Sequence, residues 1–427
     1  MDLKIIGKSL NKGNLKILKD TLSRMNPNIG KKLISWVLQH PRYLKSFFPL
    51  YRAYTNARQT REKELENGLQ VPSTLIISIT PRCNLNCEGC YASTAGNIQQ
   101  SKSSKTKTPA KTLLNREQWQ KIIKEASELG IFCNIIAGGE PFLFPGLIEL
   151  CGEFKDRTFV IFTNGTALTK VDYSLLKCST NLAIIVSIEG SPEFTNKRRG
   201  SRVYEKALNT IESLDRIGVP SGISTTITRM NFKYWMNPEN IDNLIKQHIR
   251  IIFLIEYIPQ TPLPQPKKEL TDHSTKSSLG ITPSESIEIK NIEEEDIKKD
   301  HSLLLKPEER REFRAQILKF RSTKPIFIIH SPGDEEYFGG CVSAGRGFAH
   351  VTSAGDLTPC PVSNIATHNL TNTTLREGLA SPLFKEICKN EHLLETEGMP
   401  CALFAHPEEV SALAKLVGAY KTDLDVL

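Results

Sequence analysis

From residue 74 onward, short runs of β-branched and apolar residues alternate with stretches whose apolar positions recur at helical spacing. The strand-like runs are Thr74 to Thr80, Phe132 to Ala137, Phe159 to Thr163, Leu182 to Ile188, Gly222 to Thr228 and Ile251 to Ile258. Between them, Asn115 to Leu129, Gly146 to Phe154, Leu168 to Lys177, Val203 to Ile217 and Ile241 to Ile249 each carry an apolar face. A further helix is predicted from Pro307 to about Arg321, because proline suits a first helical position and Glu308 and Glu309 suit its dipole. Strand followed by helix, repeated in this way, predicts an α/β protein with a parallel sheet and helices outside it, either doubly wound or a partial barrel. In such sheets the functional residues belong at the strand ends.

Two stretches interrupt the rhythm. Residues 93–111, rich in Ser, Thr, Lys and Gln, predict a mobile loop, and residues 262–300, rich in Pro and charge, predict a surface insertion. Residues 1–70 read as a basic helical extension in which Trp36, Tyr43, Phe47, Phe48, Tyr51 and Tyr54 interleave with Lys31, Lys32, Arg42, Lys45 and Arg52. Such a stripe usually packs inward. The sharper alternative is a surface for anionic lipid, nucleic acid or an acidic partner, which leaves peripheral membrane contact open. After residue 322 a strand-like Pro325 to His330, Gly-rich turns and a helical tail around Glu408 to Tyr420 predict a small α+β domain over 323–427, too poor in apolar residues to stand without help. The main domain is then 71–322.

Composition narrows the class. At 427 residues, with 39% hydrophobic and 24% charged residues, the chain is neither disordered nor dominated by one sign of charge. No uncharged apolar run approaches a membrane span, and Met1-Asp2-Leu3-Lys4 does not open a signal peptide, so a cytoplasmic setting is expected. The net charge of +8 is concentrated before residue 62, where about thirteen Lys and Arg face only Asp2 and Asp20. Ten cysteines in a protein without an export signal point to metal or redox chemistry rather than a disulfide framework. Cys133, Cys151 and Cys178 fall in apolar patterns and are expected as core thiols.

Three of the others lie on one loop. Cys83-Asn84-Leu85-Asn86-Cys87-Glu88-Gly89-Cys90 follows the first strand directly. A cubane iron–sulfur cluster normally takes four cysteines, so a loop offering three leaves one iron open for other ligands. The bland alternative, a structural zinc or closed cluster in a non-catalytic scaffold, needs a fourth ligand that the adjacent sequence does not offer. Glu256 and Tyr257, at the end of the sixth strand, are candidate acid or base groups facing a cavity, with a structural salt bridge the equal alternative for Glu256.

C-x-x-x-C-x-x-C at the end of a first strand, followed by Tyr91, resembles the radical S-adenosylmethionine (SAM) enzymes. Gly138-Gly139-Glu140-Pro141, closing the second strand, is similar to that family's G-G-E-P motif. Thr163-Asn164-Gly165 and Ser187-Ile188-Glu189-Gly190 resemble its third and fourth strand ends, and Arg199-Gly200 its later R-G. The resemblance implies a partial (β/α)6 TIM-like barrel, a 4Fe–4S cluster on Cys83, Cys87 and Cys90, and SAM held through Gly138, Gly139, Glu140, Pro141 and Asn164. It makes Ser187 the candidate for the ribose and Arg199 for the carboxylate. One departure stands out: many members carry an aromatic residue before the third cysteine, where this chain has Gly89.

Cys341, thirteen residues, Gly355, four residues and Cys360 resemble the opening of the SPASM extension, which holds auxiliary clusters. Gly355-Asp356 fits a hairpin turn between the two cysteines. The dense run of later SPASM cysteines is missing, leaving only Cys388 and Cys401, so the resemblance is to a shortened, twitch-like domain with one auxiliary Fe–S cluster. Its implied ligands are Cys341, Cys360 and Cys401, with Cys388 either a fourth ligand or a buried helical thiol. The activity implied is reductive cleavage of SAM, fed by a donor such as ferredoxin or flavodoxin, and hydrogen abstraction from a peptide or protein, a tetrapyrrole or other small molecule, or a lipid. No separate leader-peptide-binding domain is visible in the sequence, which counts against the first.

Overall fold

A computed structural model describes residues 36–37, 39–94, 98, 111–259, 301–395 and 399–422. Most of the loop expected at 93–111, nearly all of the insertion expected at 262–300 and the first half of the basic extension lie outside the described residues. Six parallel strands follow one another in spatial as well as chain order: β1 (Thr74–Thr80), β2 (Cys133–Gly138), β3 (Thr158–Thr163), β4 (Leu182–Ser187), β5 (Ser221–Ile227) and β6 (Ile251–Glu256). The sheet continues past both edges. β7 (Phe327–Ser331) pairs in parallel with β6, and β8 (Phe348–Val351) pairs in parallel with β1. β9 (Asp356–Thr358) and β11 (His368–Asn369) then extend the β8 edge in antiparallel fashion, giving ten strands in an open order. The boundary expected at residue 323 therefore falls within a continuous sheet. β10 (Ile365–Ala366) and β12 (Tyr420–Lys421) form a separate antiparallel pair.

The sheet curls. Phe162 of β3 and Phe253 of β6 meet edge to face at 4.9 Å between centroids, although two strands lie between theirs and a flat sheet would hold them roughly 14 Å apart. This is the curvature of a partial TIM barrel that does not close. Along β3 the residues turned the other way, Phe159 and Ile161, are fully buried in the main core, whereas Val160 and Phe162 on the concave side are only half-buried. The helices seal the outside and leave the inside partly open.

Local sequence sets the helix that follows β1. Arg116–Glu128 begins at a capping box in which Asn115 accepts from the Gln118 backbone N–H and Gln118 accepts from that of Asn115, an arrangement that contributes about 1 kcal/mol. Trp119, Ile122, Ile123 and Ala126 form its buried face.

The helix Pro41–Glu66 buries Phe48 and Ala57. Arg42 donates to the carbonyls of Ile217 and Gly218, Ser46 Oγ to Thr180 Oγ1, and Arg61 to the Gly130 carbonyl. These partners precede β5, β4 and β2, so the helix crosses the N-terminal ends of the strands, opposite the cysteine loop. For this part of the extension the inward-packing reading describes the structure. Among the three cysteines expected in the core only Cys151 is fully buried; Cys133 is half-buried and Cys178 is exposed. Among the described residues no helix is long and apolar enough to cross a membrane.

Candidate functional site

β1 ends in an irregularity: its register with β2 slips between Ser78 and Thr80, and Thr80 stands opposite Gly138. This slip turns the chain into the cysteine loop and draws the Gly138–Pro141 turn against it. Gly139 N–H donates to Thr80 O and Glu140 N–H to Arg82 O, both at 2.8 Å. Gly138 has φ +112°, and a Cβ there would come within 2.7 Å of Thr80 O; one on Gly139 would come within 2.1 Å of Arg82 O. Both positions require glycine because two backbones touch there. The cysteine loop is thus braced by the turn expected to hold the cofactor.

Glu140 is completely buried and ties two strand ends together. Its carboxylate accepts from Thr163 Oγ1 at 2.7 Å, Asn164 N–H at 2.8 Å and Phe142 N–H at 3.2 Å. Burial raises its pKa, and these donors oppose the rise. The side chain fastens the second strand end to the third, leaving the backbone of the turn to face the loop. Asn164 continues the link: its Nδ2 donates to Asn84 Oδ1 at 2.8 Å, Asn84 Nδ2 donates to Thr166 Oγ1 at 2.8 Å, and Thr166 donates back to Asn164 Oδ1 at 2.7 Å. This ring of three side chains clamps the loop between Cys83 and Cys87. Asn164 is a positioning residue, and Asn84 and Thr166 are partners that sequence reasoning missed although Asn84 lies within the motif.

A second clamp comes from the fourth strand. Glu189 is buried, and its Oε1 takes Arg198 at 2.6 Å and Arg199 at 2.7 Å while its Oε2 takes the Thr226 N–H at 2.9 Å. Burial alone would raise this carboxyl, but the two guanidiniums hold it at about 2. Arg198 also donates to the Gly89 carbonyl at 3.1 Å, and its own carbonyl accepts from Glu88 N–H at 2.9 Å. Arg199, expected at the cofactor carboxylate, is committed to Glu189. Burial pushes the Cys87 thiol up, and both arginines oppose that, which places their charge beside the loop. Glu189 and Arg198 were missed as site residues; the only signal was their adjacency to Gly190 and Arg199. Ser187 pairs with Ser224 at 3.0 Å across β4 and β5, at the C-terminal rim where a ribose was expected.

The sixth strand corrects one assignment. Glu256 alternates with the concave-side Phe253 and Ile255 and points outward, bonded to Arg310 Nε at 2.6 Å and to His330 Nε2 at 2.9 Å. It is the structural salt-bridge partner, not a cavity-facing acid or base. Tyr257 turns the other way. Its ring lies against Gly89, where a Cβ would fall 2.7 Å from Cε2. The aromatic group missing beside Cys90 thus arrives from the opposite side of the barrel, and glycine, at φ +63°, makes room for it.

The second cysteine set assembles from distant sequence. Cys341 and Cys401 act electrostatically on Cys360, and Cys401 acts on Cys341; Cys341 and Cys360 are buried and Cys401 is half-buried, and burial pushes Cys341 up to about 12 and Cys401 up to about 11. Glu335 stands near them: it acts on Cys341 and Cys401, and burial raises its carboxyl to about 7, while the Cys341 thiol donates to Ser343 Oγ at 3.3 Å. Cys388 does not join. Its thiol donates to Ala344 O at 3.2 Å and its charged neighbour is Arg346. The hairpin expected at Gly355 is present, with His350 opposite Thr358. His350 is buried, and burial holds it at about 3, so it is neutral. Thr358 donates to Cys360 O at 3.0 Å, hence Thr358 accepts from His350 Nδ1 at 2.7 Å, and His350 Nε2 accepts from Ser78 Oγ at 2.8 Å. A directed chain of hydrogen bonds thus ties β1 to Cys360.

The second set borders a cavity. A space of about 500 Å³ is lined by Cys360 and Cys401 together with Tyr91, Ile258 and Pro259. Leu403, Phe404, Val410 and Tyr420 make its wall largely apolar, with Lys415 and Lys421 also lining it. Tyr91 follows Cys90 directly in sequence, and Cys83, Cys87 and Cys90 themselves are not among the lining residues.

Residues 77–246 match the family model of the Radical SAM superfamily. They are a radical SAM domain. The match begins in β1 and takes in the cysteine loop, the Gly138–Pro141 turn and both clamps. The chain is 25% identical over 191 residues to the sporulation killing factor maturation protein SkfB of Bacillus subtilis, covering 44% of each protein. It is 29% identical over 166 residues to an AdoMet-dependent heme synthase of Methanosarcina barkeri, covering 38% of this chain and 44% of that one. It thus spans less than half the length of these curated relatives. Among solved structures, Streptococcus suis SuiB bound to S-adenosylmethionine superposes with a TM-score of 0.54 at 17% identity, over 82% of this chain and 76% of that one. That likeness supports the partial-barrel fold across the larger part of the chain. The cofactors of a radical SAM domain are a 4Fe–4S cluster and SAM, and the donor set here fits them: three thiols on one loop, and a glycine turn whose missing Cβ atoms keep backbone within reach.

Proposed function

We propose that this chain is a radical SAM enzyme in which Cys83, Cys87 and Cys90 hold the SAM-binding cluster and Cys341, Cys360 and Cys401 hold one auxiliary Fe–S cluster. The observation that carries this reading is the three-cysteine loop at the end of β1, braced by the glycine turn after β2, with a cavity lined by Cys360 and Cys401 that extends to Tyr91, the residue after Cys90. With cluster and SAM bound, such a site supplies a 5′-deoxyadenosyl radical that takes a hydrogen atom from an unactivated C–H bond.

This chain's residues do the positioning. The Asn84–Asn164–Thr166 ring and the Glu189–Arg198–Arg199 cluster fix the loop from two sides, so the thiols are arranged before iron binds. Backbone at Gly138 and Gly139 and the rim at Ser187 would hold SAM, and the Tyr257 ring, packed on Gly89, would supply an apolar face to it. Glu335 is the group best placed to be the fourth donor of the auxiliary site. A carboxylate there satisfies the count that Cys388 leaves open.

The substrate, on this reading, presents an apolar group to Leu403, Phe404 and Val410 and an acidic group to Lys415 or Lys421. A peptide fits this description, and the names of SkfB, a maturation protein, and the heme synthase give a peptide and a tetrapyrrole as the two classes to try first. The reductant is a low-potential carrier such as ferredoxin or flavodoxin, and the setting is the cytoplasm, where thiols stay reduced. Anaerobic reconstitution followed by dithionite and SAM tests the core of the proposal. Formation of 5′-deoxyadenosine by the wild type, lost in Cys87→Ala, is the expected result; no nucleoside from the iron-loaded wild type would refute it.

A further inference from the structure

One group of ligating side chains stands apart from both cysteine sets. His392, on the short helix Glu391–Leu394, meets His406 and Glu409 at the start of the helix Pro407–Leu416, and one donor atom from each lies within 4.8 Å of the others. His392 Nε2 is 3.2 Å from Glu409 Oε1. The two imidazoles face each other with centroids 4.1 Å apart and planes inclined by 52°. His406 is buried, and its Nε2 lies 3.2 Å from the carbonyl oxygen of Glu395.

We propose that His392, His406 and Glu409 form a binding site for a divalent transition-metal ion, Zn²⁺ in particular. Three observations converge. A carbonyl oxygen only accepts, so His406 Nε2 carries the proton and Nδ1 presents the ring's lone pair; a metal-binding histidine characteristically has its outer nitrogen engaged in this way. Donors at about 2.0–2.1 Å from a tetrahedral ion stand roughly 3.3 Å apart, close to the 3.2 Å between His392 Nε2 and Glu409 Oε1. A surface ion pair accounts for that distance equally well, but not for a second imidazole, tilted against the first, within reach of the same carboxylate. Two imidazoles and one carboxylate leave a fourth position for water, and this mixed N/O set suits zinc better than hard cations.

The place of the site gives it a role. Cys401 lies five residues before His406, Pro407 and Val410 line the cavity beside Cys360 and Cys401, and the Leu394 carbonyl, next but one to His392, accepts from the Cys341 N–H at 2.8 Å. An ion on these three side chains latches the segment carrying Cys401 to the segment that holds Cys341. It braces the second thiol set without using a thiol.

The test uses the full chain after anaerobic iron–sulfur reconstitution, dialysed against Zn²⁺ and then freed of loosely bound metal. The expected result is about one zinc per chain with only nitrogen and oxygen scatterers at the zinc absorption edge. Affinity should fall at least about tenfold in Glu409→Gln and about 100-fold in His392→Ala or His406→Ala, with zinc content lost and iron content retained in Glu409→Gln. His392 and Glu409 are surface groups, so their variants keep the test open even if His406→Ala fails to fold. Zinc content unchanged in these two variants, sulfur scatterers at the edge, or no zinc retained by the wild type would each overturn the proposal. None of these outcomes depends on SAM cleavage.

Discussion

The two cysteine sets are built on opposite plans. Cys83, Cys87 and Cys90 sit within eight residues on one loop, and the fold's effort goes into clamping that loop from β2, β3 and β4. Cys341, Cys360 and Cys401 are separated by tens of residues and are gathered by the sheet edge: β8 docks on β1, the hairpin turns at Gly355, and Glu335 and Leu394 approach Cys341. The first plan leaves a site open on one side, where thiols are half-exposed. The second buries Cys341 and Cys360 and leaves Cys401 half-buried, with Cys360 and Cys401 at the edge of a cavity.

The sharpest way to break this contrast is to remove thiols. Cys83→Ala, Cys87→Ala or Cys90→Ala should reduce 5′-deoxyadenosine formation to background in an anaerobic assay, while leaving the second set's iron in place. Cys401→Ala should instead lower the iron count by about four per chain, and Cys388→Ala should leave it unchanged. Equal losses from Cys388→Ala and Cys401→Ala would show that the thiol left out of the second set belongs to it.

Next in size is the buried ion pair behind the open loop. Glu189→Gln leaves Arg198 and Arg199 without their anion and should cost about 3 kcal/mol or more in chemical denaturation. The same group predicts a pH dependence. Its carboxyl lies at about 2 when folded against an ordinary 4.5, so the unfolded chain takes up the proton first. The stabilisation, about 3 kcal/mol, is complete above about pH 5.5 and is lost as pH falls through 4.5 towards 2. Glu189→Gln should flatten that part of the stability profile; an unchanged profile would remove the cluster from the account. The smallest effect belongs to the polar ring: Asn84→Ala should cost about 1 kcal/mol and show mainly as slower or incomplete loading of the first cluster, read by iron content.

The sequence made the first plan legible and the second only in outline. Strand and helix runs announce themselves by period, and a three-cysteine loop between a strand and a polar stretch is hard to read otherwise. Glu140, Asn164 and Arg199 stood in recognisable motifs, but what each holds could not be seen, because Thr163, Asn84 and Glu189 become their neighbours only when separate strand ends converge. Glu256 looked like a cavity residue from its place at a strand end; alternation along β6, with Phe253 turned inward to Phe162, sends it outward to Arg310 and His330. Glu335 gave no signal at all. It lies six residues before Cys341 in a stretch with no regular pattern, and only the fold places it among thiols from elsewhere in the chain. The hairpin that contains β8 was expected from Gly355, but its docking on β1 was not, because four residues carry too little pattern to name a partner strand.

The proposed function stands on one chain carrying two independent iron–sulfur sites. Iron and sulfide counting with Mössbauer spectroscopy on the reconstituted wild type and on a Cys83→Ala/Cys87→Ala/Cys90→Ala variant tests it directly. The account predicts about eight irons per chain in the wild type and about four, still in a cluster, in the variant. A variant that holds no cluster iron, or a wild type that holds only about four, would contradict it.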